Sequence, residues 1–170
     1  MEVAKKAARK LRGNRGEIAL RLGLILLGAV ILFVLVFNIR HAYQVVDLIR
    51  DRTNEAVLSV AAVNGPGVAG GVREGEAVSR NYTGAFWQRG VTTEAVLDAL
   101  QRSLGADRSG QSLIREGSYR IDGLATAYVN EDGAALHFTT TLRLTIFLMG
   151  GDALKVDKTL EVKTTYEAKF

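Results

Sequence analysis

The chain of 170 residues contains no cysteine. That excludes disulfides, thiolate metal sites, cysteine nucleophiles and an anchor lipidated on cysteine. Histidine is almost absent too: His41 and His137 stand far apart, with no His, Cys or paired carboxylate at ligand spacing beside either. Each therefore reads as an interfacial or strand-surface residue and not as a metal ligand or base. Proline occurs once, as Pro66 within "NGPGVAGG". The letters "GPGVAG" match a dinucleotide-binding glycine pattern, but they follow a helical pattern instead of a strand and open no helix, so the expectation is a chain reversal. "NEDG", residues 130–133, has calcium-like residue types but neither the long loop nor the terminal bidentate Glu, and reads as a hairpin turn. No nucleophile stands with a base. The expectation is no enzyme, no cofactor and no metal.

The basic excess is confined to one place. The net charge is +4, yet Lys5, Lys6, Arg9, Lys10, Arg12 and Arg15 face only Glu2 before residue 17, a tail of +5 that leaves about −1 for the rest. No basic face remains for a nucleic acid, so none is expected as a partner.

What the chain has is apolar length. Residues 22–39 carry no charge and, as helix, would run roughly 27 Å, close to the hydrocarbon thickness of a bilayer. A cleaved secretory signal has a shorter core and a small-x-small site, and "NIRHAYQVVDLIRDR" after Phe37 offers no such site. The expectation is a membrane anchor over about 18–39, with Arg21 near enough to its end to reach the headgroups. Basic residues crowd the N-terminal side, whereas Arg40, Arg50 and Arg52 are balanced by Asp47 and Asp51. The positive-inside rule then makes the N-terminus cytoplasmic and everything past about residue 40 exoplasmic.

The helical pattern continues beyond the span. Ala42, Val46, Ile49, Thr53, Ala56, Val60 and Val63 recur at spacings of three and four, with Gln44, Asp47, Arg50, Asp51, Arg52 and Asn54 elsewhere. Leu48 and Leu58 fall off the stripe, which points to a buried arc wider than a coiled-coil seam. A helix over 17–63 must lay this stripe against the soluble domain, against copies of itself, or against both. Val46, Ile49, Ala56 and Val60 are its candidate packing residues.

The remainder divides at residue 117. Over 64–117 a glycine-rich loop and a helical connection are expected. "TTEAVLDALQRSLGAD" supplies Thr92 or Thr93 as N-cap, Glu94 in the first turn, an apolar face of Val96, Leu97, Leu100 and Leu104, and Gly105 as the stop. A weaker helix pattern covers 76–86. Asn81 heads the glycosylation sequon "NYT", and Tyr82, Phe86 and Trp87 form an aromatic trio of core type. Over 118–170 the period becomes two. Tyr119, Ile121 and Gly123 alternate with Arg120 and Asp122; Leu136, Phe138, Thr140, Leu142, Leu144, Ile146 and Leu148 share one face. Leu154, Val156, Leu160, Val162 and Tyr166 oppose Lys155, Lys163 and Lys169. "NEDG" and "GGDA" are the expected turns. The fold class is α+β: a long N-terminal transmembrane helix running into an exoplasmic domain that ends in an antiparallel meander of three or four strands, its apolar face needing a cover.

A basic leader over 1–16, a Gly, a Glu at the mouth of an apolar span, a helix that leaves the membrane and a C-terminal sheet together resemble the pilin-like proteins. "RGNRGEIALRLGLILL" looks most like their tight-adherence, TadE-like branch, through Arg12, Gly13, Glu17 and the run from Leu22. The resemblance implies a structural subunit or minor pilin of a tight-adherence or type IV-like filament. Its partners would be itself or other pilin-like subunits, membrane lipid and the assembly machinery, and its place the cell membrane or an extracellular filament. It also implies processing after a glycine, for which Gly13 and Gly16 are the candidates. Cutting there would leave Glu17 fourth or first, not fifth as in the usual pattern. Glu17 would then fix axial register by meeting a cation in an apolar assembly, with Arg21 of its own or a neighbouring chain as partner. The plainer reading has Glu17 favouring the helix N-terminal dipole and Arg21 marking the interface. A single-pass protein whose outer domain binds a ligand or envelope partner without polymerising is the other functional reading.

Overall fold

The computed structural model describes the backbone of residues 2–73, 90–132, 135–149 and 151–167, with side chains described there except at 2–16, 64–73, 130–135 and 151–152. The expected helix over 76–86, Asn81, the trio Tyr82, Phe86 and Trp87, and Lys169 lie outside these residues. Contacts divide the chain into two units, Met1–His41 and Ala42–Phe170.

Helix α1 spans Glu2–Arg73, so it starts earlier and stops later than the 17–63 read from the sequence. Its early start follows from Ala, Lys, Arg and Leu, all good helix formers, which dominate the tail. Its late stop carries the backbone through 64–71, the expected loop. Proline inside a helix costs about 3 kcal/mol and removes one hydrogen bond, but its fixed φ is a helical one, so it weakens the turn without forbidding it.

In the second unit the helical stripe is buried. Val46 is 6% exposed, Ile49 and Thr53 0%, Ala56 2% and Val60 9%, with Ala42 partly buried against the same core. Val45, Val57 and Ala61 are buried as well, so at 100° per residue the buried arc spans about 160°. Leu48 stays exposed and Leu58 half-buried, outside that arc. Val63 is a correction: it falls within the arc yet is 77% exposed, because the helix has passed the end of its cover. Thr53 is tolerated inside because its hydroxyl donates to the Ile49 carbonyl at 2.7 Å.

The cover is a five-stranded antiparallel sheet in sequential order. Its strands are β1 (Asp107–Ser109), β2 (Ser112–Arg115), β3 (Tyr119–Asp132), β4 (Ala135–Leu148) and β5 (Gly151–Glu167). One hydrophobic cluster joins the α1 stripe to Leu113, Tyr119, Ile121, Phe138, Leu142, Leu144, Ile146 and Leu160. Each large apolar side chain buried in this way contributes about 1.5–3 kcal/mol. The β4 alternation holds throughout: Leu136, Phe138, Thr140, Leu142, Leu144 and Ile146 are buried, and Leu148 packs partly against them.

β1 and β2 fall within 64–117, which the sequence pattern reads as loop and helical connection. Their pairing, Asp107↔Ile114 to Ser109↔Ser112, leaves Gly110 and Gln111 as a two-residue link. Gly110 sits at φ +63 while, among the described residues, none other than glycine has positive φ, the arrangement of a type II′ hairpin turn.

Three further corrections concern faces and turns. β3 shifts register between Asp122 and Ala125, a bulge that turns Gly123 outward and brings Leu124 to 7% exposure. Leu154 and Val156 on β5 are 51% and 41% exposed, while Leu160 and Val162 on the same face of that strand are buried: the first part of β5 lies beyond the core's cover. The turns are also tighter than expected. Asp132 already pairs with Ala135, and Gly151 opens β5.

Helix α2 (Thr93–Leu104) follows its reading closely. The Thr92 hydroxyl accepts from the Ala95 amide, Gly105 at φ +58 ends the helix, and Val96, Leu97, Ala99, Leu100 and Leu104 are buried.

Candidate membrane-spanning and assembly surface

Glu17–Val63 contains an 18-residue window of mean hydropathy 2.9 of which nothing is buried. In the first unit this segment is a helix with its side chains turned outward on every side: Leu22, Ile25, Leu26, Val30, Phe33 and Leu35 are each more than half exposed. Such a surface is stable only in lipid or against other apolar helices. The chain therefore has one helix near its N-terminus long and apolar enough to cross a membrane. Phe33 and Phe37, one turn apart, stack with centroids at 6.4 Å.

Glu17 and Arg21 sit at the head of this surface. Arg21 Nη2 donates to Glu17 Oε1 at 2.7 Å, and both side chains are more than half exposed. A pair this exposed contributes about 0.3–0.5 kcal/mol. Glu17 stands four turns inside α1, whose first residue is Glu2. Within this helix Glu17 lies beyond the first turn, over which the dipole effect fades. Gly13 and Gly16 both lie within α1, the first about one turn before Glu17 and the second immediately before it.

Val46, Ile49, Ala56 and Val60 are committed to the domain's own core. Opposite them on α1 stand Asp47, Asp51 and Glu55, all exposed, with Arg52 donating to Glu55 at 2.7 Å. This outer face is charged and offers no apolar stripe to a sister molecule.

The second unit carries a charge cluster that the sequence reading missed. Arg108 on β1 donates to Glu94 Oε1 at 2.6 Å and to Asp98 on α2, and its Nε donates to the Gly110 carbonyl at 2.8 Å. The Glu94 hydrogen bond, followed by attraction to Asp98, holds the guanidinium above the usual arginine range. With its donors engaged by the fold, Arg108 ties β1 to α2. The available signal was a pair of acids four apart on α2 followed by an arginine ten residues later.

Arg50, Asp51 and Asn54 on α1 and Glu161, Val162 and Lys163 on β5 line an open groove of about 520 Å³. Its charges are mixed, and Lys163 lies 3.6 Å from Glu161. His137 Nδ1 is 3.1 Å from the Thr165 hydroxyl, and His41 is half-exposed in the other unit. Among the described residues no three His, Cys, Asp or Glu side chains gather. No protein-family model matches the chain, and no curated protein or solved structure matches it either.

Proposed function

We propose that this protein is a structural subunit or minor pilin of a tight-adherence or type IV-like filament, anchored as a single-pass membrane protein before assembly. The observation that carries the reading is the division of labour along α1. Residues 42–61 spend their apolar stripe on the protein's own sheet, so the exposed apolar half, headed by Glu17 and Arg21, is what remains for lipid or for other subunits. In a parallel pack of such helices the intrachain pair can be exchanged between neighbours, which desolvates both charges without leaving either unpaired. The N-terminus faces the cytoplasm and the sheet faces outward, by the charge asymmetry about the span.

Shearing the cell surface and sizing the released material tests this against a lone receptor-like protein. A subunit appears in polymers, and a non-polymerising binding protein stays with the membrane. Recovery of the chain only as membrane-bound monomer would overturn the proposal.

A further inference from the structure

The tail of +5 has no role in the apolar surface that follows it. On the helical backbone of α1, which already runs from Glu2, Val3, Ala4, Ala7, Ala8 and Leu11 recur along one face, while Lys5, Lys6, Arg9, Lys10 and Arg12 occupy the remaining arc. A basic amphipathic helix next to a span has the composition of a segment that lies in a bilayer interface. The charge complement is an anionic headgroup layer, and the span that begins at residue 18 brings that layer alongside.

Geometry sets a condition. If α1 stood upright through the tail, Lys5 would lie roughly 24 Å along the axis from Arg21, well beyond the screening distance of about 8–10 Å in physiological salt. Only Arg12 and Arg15 would feel the surface. Gly13 and Gly16 bracket the point where the helix would have to bend, and glycine holds a helix about 1 kcal/mol less firmly than alanine.

We propose that residues 3–12 form an anionic-lipid-binding surface, the helix bending at Gly13–Gly16 so that this segment lies flat on the headgroups. This does not depend on filament assembly, since it concerns a single chain in a bilayer.

The test uses the full chain, its intact mass verified, reconstituted as single copies in nanodiscs of phosphatidylcholine alone or with about 30% phosphatidylglycerol, and labelled with an amine-reactive reagent. Lys5, Lys6 and Lys10 are expected to react at least about fivefold more slowly in the anionic discs, with the difference lost in 1 M salt. Lys155, Lys158 and Lys163 of the outer domain should react alike in both. In the double variant Gly13→Ala, Gly16→Ala, the protection of Lys5 and Lys6 should fall below about twofold. Equal labelling in the two lipids, or equal protection in both, overturns lipid recognition; protection that survives the glycine variant overturns the bend.

Discussion

Arg21 holds Glu17 at 2.7 Å across one turn of helix, at the entrance to a segment that is otherwise uncharged as far as Arg40. The pair contributes little to the helix that contains it, so its effect should appear in association and not in folding. Glu17→Ala is expected to leave membrane insertion unchanged, as read by carbonate-resistant membrane fraction, and to abolish incorporation into sheared polymers. The exchange Glu17→Arg with Arg21→Glu should restore part of that incorporation. Normal polymers from Glu17→Ala would exclude a register role for the charge.

Ile49 is fully buried between α1 and the sheet. Ile49→Ala should cost about 2–5 kcal/mol, measured by denaturant unfolding of the Ala42–Phe170 unit within the full chain in detergent. Val63→Ala, at an exposed position of the same helix, should stay within about 0.5 kcal/mol. Similar losses at both sites would mean that the stripe does not dock as described.

Thr92 caps α2 through its hydroxyl. Thr92→Ala should destabilise by about 1 kcal/mol, and Thr92→Asp should keep most of the stability because a carboxylate accepts the same amide bond. The same denaturation series measures both.

Arg108 is held above the ordinary arginine range by its hydrogen bond to Glu94, with Asp98 adding to the attraction. A basic group raised in the folded state gives its full stabilisation below its unfolded value and loses it only as pH rises through the folded one. Both values lie beyond the range of practical measurement, so the melting-temperature difference between the protein and Arg108→Met should be constant from about pH 7 to 10. A difference that shrank across that interval would assign the effect to another group.

The Tyr119 hydroxyl is buried and meets no hydrogen-bond partner among the described residues. Removing an unsatisfied hydroxyl while keeping the ring should leave stability unchanged or raise it by up to about 1 kcal/mol. A clear loss in Tyr119→Phe would reveal a hidden partner.

The parts of the fold legible in the sequence are those where one period runs uninterrupted. The α1 stripe, the β4 face from Leu136 to Leu148 and the apolar face of α2 all repeat at a constant interval, and burial follows that interval. β1 and β2 have three and four residues, too few to establish a period. The bulge at Gly123 resets the alternation midway through β3, which pattern reading alone does not anticipate. Leu154 and Val156 keep the alternation that buries Leu160 and Val162 but are exposed, because where the core's cover ends is a property of the assembled domain. At the candidate site Glu17 and Arg21 are visible in the sequence, and the structure adds that they pair at 2.7 Å well inside α1. The tie from Arg108 to Glu94 and Asp98 joins elements that had not all been recognised.

A sheet whose strands pair strictly in chain order can be built as it emerges. Each new strand meets a partner that left the ribosome just before it, so its pairings close short loops and little search is needed. The α1 stripe is the exception: it is made first and waits, uncovered, for strands up to about a hundred residues behind it. The interval before β4 arrives is when the nascent protein is most open to sticking to something else, and a chaperone or a translocon exit would have its greatest influence then.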